Sequence, residues 1–454
     1  MKVMKFGGSC LQSRDGLERM IDLVRGEPRP LVIVLSALKG VTDWLIRLMD
    51  EAEQGTPPAL ADFRQRHEEV LETLTGTHRE STQAALDERL TELERVLAGI
   101  AALQEIPERT RDRILSLGER LSVVLAQGHL TQAGVPARFL VGQEAGMLTT
   151  AEPGDARLLP TAEVAVRERL VSEDVVYVVA GFVGHDPQGH LTTLGRGGSD
   201  TTATFLAAAL KGTAVLWKDT QGLLTGDPSV VDNPKVIQQI HYLDALELAH
   251  YGLPAIAEKA IYPARRGGIS IEIRSFLEAS RPPSVIGNVT SDELAITCVP
   301  EVVMLDLMHP GSDMAPGGPI VKPGVERPLL SLARFLEALA EAGVSPLLLT
   351  EASPHGETTL AIKTEHRGLV EGALERPDVN LEATLRPDLA AVSLIGSGMR
   401  GKIGFAASVF DCLAKAKINI EVIAQTASER NISVVVAKAD AHGAVKALHA
   451  RFVE

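Results

Sequence analysis

The sequence is poor in aromatic residues, in cysteine and in long apolar stretches. Only 4% of its 454 residues are Phe, Trp or Tyr, so aliphatic side chains must fill most of its core. The three cysteines, Cys10, Cys298 and Cys412, lie far apart without metal-ligand or redox spacing, which fits a reducing cytoplasm. No segment approaches a membrane span, and the N-terminus lacks the apolar core and cleavage site of a signal peptide. These absences favour a cytoplasmic protein with no membrane partner.

The chain also lacks a long stripe of Lys and Arg. Its 59 acidic residues outnumber its 45 basic ones, and the net charge is −14. This balance argues against nucleic acid or an anionic membrane as a partner. At 454 residues the chain is too long for one hydrophobic core, so we expect two or three domains.

Apolar strands alternate with helical patterns over residues 1–287. Strands are predicted at 3–6, 30–36, 137–141, 175–180 and 214–217, with helices between them. Such alternation implies crossover connections and a mainly parallel sheet covered by helices. The Glu- and Arg-rich stretch from about 44 to 117 predicts a helical insertion, followed by a separate amphipathic helix over 119–127.

Residues 288–454 contain a weak internal repeat of strand, helix and strand. The first copy is predicted at 302–307, 329–342 and 346–349, and the second at 391–395, 404–416 and 420–423, continuing into a strand at 432–437 and a helix at 443–452. Two small α+β modules are therefore expected, at about 294–388 and 389–454.

Two glycine-rich turns follow apolar strands of the first domain. Lys5 precedes the turn Gly7-Gly8-Ser9, and Arg196 lies inside the run Gly195 to Asp200. Glycine allows backbone N–H groups to approach phosphate oxygens, and each loop brings a cation. Neither loop matches a Walker or dinucleotide motif. A tight turn, and simple capping of the next helix by Ser199 and Asp200, remain the alternative interpretations.

A larger set of motifs resembles the aspartate kinases in order and spacing over essentially the whole chain. These motifs are Lys5 to Ser9, Leu35 to Ala37 with Gly40 to Thr42, Gly118 to Ser122, Gly181-Phe182, Thr192 to Asp200, and Trp217 with Asp219, Gly222 and Thr225 to Pro228, followed by Ile395 to Arg400 and Ile418 to Ser433 of a last ACT module. The resemblance implies an amino-acid kinase fold (α/β, mainly parallel central sheet) followed by two ACT modules of ferredoxin-like α+β type. It implies transfer of the γ-phosphoryl group of ATP to the side-chain carboxylate of L-aspartate.

The resemblance also implies roles for individual residues. Lys5 would lie against the transferring phosphate, Arg196 would bind the α-carboxylate of aspartate, and Glu119 would receive its ammonium group. The remaining implied residues are Ser36, Thr42, Phe182 and Ser199 in the amino-acid pocket, and Gly7, Gly8, Ser9, Gly197, Gly198, Asp200, Lys218, Asp219, Leu224 and Asp227 on the side of ATP and Mg²⁺. Glu119 could instead only pair with Arg120 or another neighbour, and the direct metal ligands stay open.

Several nucleotide-side positions depart from the family pattern. Lys218 stands where Thr is usual, Leu224 replaces a Tyr, Ser229 replaces an Arg and Cys10 replaces a Ser. The family run Gly-Ala-Lys-Val-Leu-His-Pro aligns after Gly252, which sets Pro254 in the place of its lysine. We hypothesise that Lys218 restores the lost cation. A weak enzyme or a kinase-like regulatory subunit is the alternative interpretation.

The expected effector site lies in the last module, at Asn419, Ile420 and Gln425, because polar residues there lie between two apolar strands. ACT modules pair across subunits, so a homodimer or higher homo-oligomer is expected. The effector would be an amino acid of the lysine, threonine and methionine pathway, although the sequence leaves its identity open. A kinase for glutamate or N-acetylglutamate, and a catalytically silent sensor, are the competing functions. We expect no attached homoserine dehydrogenase domain.

Overall fold

The computed structural model describes residues 1–171, 174–253, 255–308, 328–351 and 358–454. They form two compact units. The first consists of Met1–Leu223, Val236–Ala245 and Pro254–Val289, and the second consists of Leu224–Lys235, Leu246–Leu253 and Thr290–Glu454. No described helix is long and apolar enough to cross a membrane.

The first unit is built on an eight-stranded sheet with a separate two-stranded ribbon. The strands are β1 (Lys2–Phe6), β2 (Leu31–Leu35), β3 (Ala137–Leu140), β4 (Val176–Ala180), β5 (Val183–His185), β6 (Leu191–Thr193), β7 (Thr213–Lys218), β8 (Gln239–His241), β9 (Ile271–Ser275) and β10 (Ser284–Gly287). The order in the large sheet is β3-β4-β2-β1-β7-β9-β10-β8, while β5 pairs with β6. Only the β9–β10 pair of the large sheet is antiparallel, which confirms the mainly parallel sheet.

The central strands are apolar on both faces. Every residue of β2 is buried, as are the last four residues of β1. Such strands need helices on both sides of the sheet, because neither face can be left in water. The helices of this part are α1 (Arg14–Arg25), α2 (Val41–Glu53), α3 (Ala61–Glu68), α4 (Gly76–Leu103), α5 (Glu108–Gln132), α6 (Ala162–Arg169), α7 (Gly198–Ala209), α8 (Tyr242–His250) and α9 (Glu258–Gly267).

The helical insertion does not end where the sequence pattern predicted. One continuous helix, α5, runs over Glu108–Gln132, so the helix expected at 119–127 is its second half. Gly118 in the middle of α5 is no helix break. A Cβ there would lie 2.7 Å from the Cβ of Ala37, so glycine allows α5 to pack closely against the segment after β2.

The second unit contains a six-stranded sheet whose pairings are all antiparallel, in the order β12-β13-β11-β14-β16-β15. Its strands are β11 (Ala295–Met308), β12 (Leu348–Glu351), β13 (Thr358–Lys363), β14 (Glu382–Ile395), β15 (Val422–Ala424) and β16 (Asn431–Ala437). Its helices are α10 (Pro328–Glu341), α11 (Arg367–Leu374), α12 (Phe405–Lys415) and α13 (Ala441–Phe452).

The two α+β modules share this sheet rather than following one another along the chain. Residues 295–299 of β11 pair with residues 391–395 of β14, and a register shift separates them from the part of β11 that starts at Val302. Ile296 packs in one apolar core with Val392 and Leu413. The start of β11 therefore belongs to the second module, and the predicted division into 294–388 and 389–454 is wrong for this strand.

Two segments predicted within 1–287 also fold with the second unit. In Leu224–Lys235, the Thr225 hydroxyl lies 3.0 Å from Nε2 of buried His449, and Val231 joins the apolar core around Ile296. In Leu246–Leu253, the carboxylate of Glu247 accepts a hydrogen bond from the Asn431 amide at 2.5 Å. Specific polar pairs and one buried valine hold these segments, and such long-range partners leave no periodic signal in the sequence.

Candidate active site

The site begins with two lysines on one face of the parallel sheet. Lys5 of β1 is aligned with Leu216 of the neighbouring strand β7. Side chains alternate along a strand, so Lys218, two residues beyond Leu216, lies on the same face as Lys5. Helix α7 packs against β1 and β7 and carries Asp200 in its first turn. The carboxyl ends of β1 and β7 and the beginning of α7 therefore meet at one place.

Asp200 is held between these two lysines. Its Oδ1 lies 2.6 Å from Nζ of Lys5, and its Oδ2 lies 2.7 Å from Nζ of Lys218. Burial opposes ionisation of this carboxyl, but the two ammonium groups outweigh it and lower the pKa of Asp200 to about 2. Burial also lowers the pKa of Lys218, although Asp200 opposes that shift. The arrangement is a buried, ion-paired cluster with two cations and one anion.

Glu119 lies close to this cluster on α5, and it is only 5% exposed. Burial raises the pKa of Glu119 to about 7, against hydrogen bonds from the backbone and the charge of Lys5. The hydroxyl of Ser199 donates to Oε1 of Glu119 at 3.5 Å. Arg120 pairs instead with Glu92, at 2.7 Å. The alternative in which Glu119 pairs with Arg120 is therefore wrong.

The glycine-rich loops are packed too tightly for larger residues. A Cβ on Gly8 would lie 2.5 Å from the carbonyl oxygen of Ala37, whereas a Cβ on Gly7 would make only an ordinary contact, 3.8 Å from Nζ of Lys5. Gly197 has a φ of 79° and precedes α7, where any side chain would also collide with Ala257. Each predicted turn therefore has one glycine, Gly8 or Gly197, that a larger residue could not replace without a clash.

The other predicted pocket residues lie in segments that follow the strands β2, β4 and β6. The N–H of Ser36 donates to the carbonyl of Phe6 at 3.2 Å, and Thr42 lies in the first turn of α2. Phe182 has a φ of 68°, and its N–H donates to the hydroxyl of Thr202 at 3.1 Å. Arg196 is exposed and makes no hydrogen bond or ion pair with a residue that the structure describes. Its guanidinium is thus available to an external anion.

The predicted nucleotide-side residues are divided between the two units. Asp219 is exposed just after β7 in the first unit. Leu224 and Asp227 belong to the second unit, where Oδ1 of Asp227 accepts from the backbone N–H and the hydroxyl of Ser229 at 2.8 and 2.7 Å. Pro254 lies outside the described residues.

A lysine that the sequence analysis missed lies beside the second glycine-rich loop. Lys259 is in the first turn of α9, pairs with Asp155, and would have its Nζ 3.4 Å from a Cβ on Gly195. The spacing from Lys259 to Pro263 equals that of the lysine and proline in Lys-Val-Leu-His-Pro. Anchoring the motif on its proline, rather than on Gly252, would have found this residue. The cation assigned as lost at 254 therefore has a counterpart at 259.

The predicted effector residues are separated by the structure. Gln425 lines a cavity of about 320 Å³ in the second unit, together with Lys402, Gly404 and Glu429. Asn419 donates instead to the carboxylate of Glu421 at 2.8 Å, and Ile420 packs against the core of the second module. Neither residue lines this cavity. Among the residues described, no group of three or more His, Cys, Asp or Glu could hold a metal ion.

Comparisons with known proteins agree with this fold. The sequence profile of the amino acid kinase family matches residues 1–275, and that of the ACT domain matches residues 392–452. The chain therefore belongs to the amino acid kinase family and carries a C-terminal ACT region.

Its relatives define the branch of that family. The aspartokinase of Thermus thermophilus is 33% identical over 355 residues, covering 76% of this chain and 84% of the relative. Aspartokinase 1, chloroplastic, of Arabidopsis thaliana is 31% identical over 474 residues, covering all of this chain and 80% of the relative. The crystal structure of E. coli aspartokinase III in complex with aspartate and ADP superposes with a TM-score of 0.80 at 26% identity, covering 100% of both chains. The chain is thus one of the aspartokinases, ATP-dependent enzymes that phosphorylate aspartate.

Proposed function

We propose that this aspartate kinase binds L-aspartate through Arg196 and Glu119 and neutralises the phosphates of ATP with Lys5 and Lys218. The observation that carries the proposal is the ion-paired cluster, in which Asp200 holds both ammonium groups within 2.7 Å. Cations that are already oriented stabilise developing charge without reorganising during the reaction. The first unit therefore supplies a preorganised phosphate site beside an amino-acid pocket.

The amino-acid pocket suits a zwitterion with an acidic side chain. The free guanidinium of Arg196 can make a bidentate contact with the α-carboxylate. Glu119 is a buried acceptor for the ammonium group, and Ser199, which already donates to it, orients its carboxylate. Ser36, Thr42 and Phe182 would border the side chain of the bound aspartate. An N-acylated amino acid has no ammonium group, so it would offer Glu119 no charged donor.

The transfer step needs no general base. The side-chain carboxylate of aspartate is ionised at neutral pH, so one of its oxygens attacks the γ-phosphorus directly. The new O–P bond forms as the bond from the γ-phosphorus to the β,γ-bridging oxygen breaks, and ADP leaves with that electron pair. Catalysis then consists of aligning two anions and neutralising their charge. Lys5 and Lys218 supply cations, and the backbone of Gly7, Gly8 and Ser9 supplies N–H donors.

Mg²⁺ would enter bound to ATP. Magnesium sites in kinases use one or two protein carboxylates together with substrate phosphates and water, which agrees with the lack of a cluster of three ligands among the described residues. Both oxygens of Asp200 already face lysines, so exposed Asp219, at the carboxyl end of β7, is the carboxylate best suited to the ion. Bound Mg²⁺ would neutralise phosphate charge.

The second unit would bind an amino-acid effector. In its cavity, Glu429 suits an ammonium group, while Lys402 suits a carboxylate. E. coli aspartokinase III has been solved with lysine and aspartate, at a TM-score of 0.75 to this chain. We extend this to feedback control of the present chain, with pairing of ACT modules in a homodimer. Ile403 at the cavity is fully exposed, and a second copy could cover it.

A substrate panel tests the proposal. Purified protein would be given ATP, Mg²⁺ and either L-aspartate, L-glutamate or N-acetyl-L-glutamate, and ADP release would be followed. Of the three acceptors, we expect only L-aspartate to be turned over. We expect this turnover to be inhibited by lysine or by threonine, each added in a separate assay. Equal turnover of N-acetyl-L-glutamate would reject the role of Glu119. Absence of ADP release with every acceptor would reject catalysis and favour a silent sensor.

A further inference from the structure

A second acidic residue of α5 lies buried away from the ion-paired cluster. Asp112 is 1% exposed and lies seven residues before Glu119. Seven residues are almost two helical turns, so both carboxylates project from the same face of α5. A buried carboxylate is costly unless it is fully hydrogen-bonded, so its partners indicate what it does.

Asp112 joins two segments that are distant in sequence. Its Oδ1 accepts from the N–H of Gly154 at 2.9 Å and from the hydroxyl of Thr193 at 2.7 Å. Its Oδ2 accepts from the same Gly154 N–H at 3.0 Å and from the N–H of Thr193 at 2.9 Å. The N–H of Ala156 donates to the carbonyl of Thr193 at 2.9 Å, which closes the junction.

This junction lies directly before the loop of Arg196. Thr193 ends β6, and the next residue, Leu194, donates its N–H to the carbonyl of Phe182 at 2.9 Å. The N–H of Gly198 then donates to the carbonyl of Gly195 at 2.9 Å, which forms the turn that carries Arg196 into α7. Arg196 is therefore the exposed tip of a loop whose first end is fixed by Asp112.

We propose that Asp112 is a positioning residue for aspartate binding. It holds Thr193, and through Thr193 it fixes the position of the Arg196 loop relative to Glu119, which lies on the same helix as Asp112. The inference rests on the proposed role of Arg196. One rigid helix would then set the distance between the group that binds the carboxylate of aspartate and the group that binds its ammonium. Such spacing matters because a misplacement of about 1 Å can cost about a hundred-fold in rate.

The chemistry of the junction requires a hydrogen-bond acceptor at residue 112. Asp112 faces three donors: two backbone N–H groups and one hydroxyl. An alanine at 112 would leave these donors without their acceptor, and the unpaired groups would shift Thr193 or admit water. An asparagine can replace the carboxylate, because its oxygen can accept from both N–H groups while its NH₂ group donates to the hydroxyl.

The test compares two neighbouring threonines of β6. Thr193→Val removes the hydroxyl that Asp112 accepts, and Thr193→Ser keeps it. Thr192→Val is the matched control, because the buried hydroxyl of Thr192 lies 2.6 Å from that of Thr149 and does not contact Asp112. We expect Thr193→Val and Asp112→Ala to raise the KM for aspartate about ten-fold. The KM for ATP should stay nearly constant, and Thr193→Ser and Thr192→Val should keep the wild-type aspartate KM.

Melting temperatures of all variants separate positioning from stability. Equal KM values for aspartate in Thr193→Val and Thr192→Val would overturn the inference, as would a parallel rise in the KM for ATP. Arg196→Ala, measured in the same assays, tests separately the proposed binding of the aspartate carboxylate by Arg196. If Arg196→Ala leaves aspartate kinetics unchanged, the proposed role of Arg196 fails. If it raises the aspartate KM while Asp112→Ala and Thr193→Val do not, only the role of Asp112 fails.

Discussion

The ammonium group of Lys218 lies 2.7 Å from Oδ2 of Asp200, while Lys5 holds the other oxygen at 2.6 Å. The aspartate kinases that the sequence resembles have threonine at the position of Lys218. A hydroxyl can donate a hydrogen bond there but brings no charge. The cluster therefore has one cation more than the family pattern provides, and Lys259 beside the Gly195 loop adds to the basic residues of this region.

Lys218→Thr should raise the KM for ATP several-fold and leave that for aspartate nearly unchanged. The variant restores the family residue but removes a positive charge from a site that works by neutralising phosphate charge. Steady-state kinetics with ATP and aspartate varied in turn would measure both constants. The control is Lys2→Thr. It also removes a lysine, but Lys2 lies at the other end of β1, where its Nζ is 2.7 Å from Oε2 of Glu27. If the KM for ATP is unchanged in Lys218→Thr, Lys218 does not contribute to ATP binding, and Lys5 with Lys259 supplies the cations that the phosphates need.

Lys5→Ala should depress kcat strongly while changing aspartate affinity little. The contribution of Lys5 grows as charge moves from the γ-phosphoryl group in the transition state, so its loss affects the chemical step more than binding. A single-turnover assay with saturating ATP and aspartate would isolate that step. A variant whose only defect is a higher KM for aspartate would contradict the assignment.

Asp200 should stabilise the folded chain in a pH-dependent way. Its pKa in the folded protein is about 2, below the ordinary value of 3.8, so its contribution is present above about pH 4 and is lost as the pH falls towards 2. This shift corresponds to about 2 kcal/mol at neutral pH. The melting temperatures of wild type and Asp200→Asn, measured by calorimetry, should differ at neutral pH, and this difference should become smaller between about pH 4 and pH 2. A difference in melting temperature that stays constant from neutral pH to about pH 2 would exclude the ion-paired carboxylate as its source.

Glu119 should make aspartate recognition pH-dependent near neutrality. Burial raises its pKa to about 7, so part of the free enzyme carries a protonated Glu119 that cannot attract an ammonium group. The value of kcat/KM for aspartate should therefore rise with pH through about 7 and then level off. Glu119→Gln should lower kcat/KM and abolish this rise. The control is the pH profile of kcat/KM for ATP at saturating aspartate. An identical rise in that profile would assign the titration to another group.

The sequence indicated which residues lie together at the candidate site better than it indicated the division of the chain. Lys5, Glu119, Ser199 and Asp200 were candidates because each lies within a contiguous motif, and the structure brings these four together. Asp112 has no such motif role, and only its hydrogen bonds to Gly154 and Thr193 reveal it.

The shared sheet of the second unit was missed for a related reason. Apolar periodicity identifies strands such as β11 and β14 but does not say which halves of two long strands pair. Likewise, the pairing of Thr225 with His449 joins residues more than 200 positions apart, and neither residue is unusual in sequence. Motifs therefore indicated candidate site residues, while long-range pairing had to come from the structure.

Gln425→Ala should weaken inhibition by the amino-acid effector without lowering activity. Gln425 lines the cavity of about 320 Å³ that also contains Lys402 and Glu429, and its amide can both donate and accept. Losing one such contact should raise the inhibitory concentration about ten-fold. Lysine and threonine would be titrated separately against ADP release, and calorimetry would measure binding directly.

The control for this prediction is Thr426→Ala in the same loop. The hydroxyl of Thr426 lies 2.7 Å from that of Ser428, and Thr426 does not line the cavity. It should therefore keep wild-type inhibition. Because Gln425 is exposed and belongs to the second unit, its substitution should leave the uninhibited kcat and both KM values unchanged. Undiminished inhibition of Gln425→Ala by every effector tested would place the effector elsewhere, whereas loss of activity without effector would assign Gln425 a structural role.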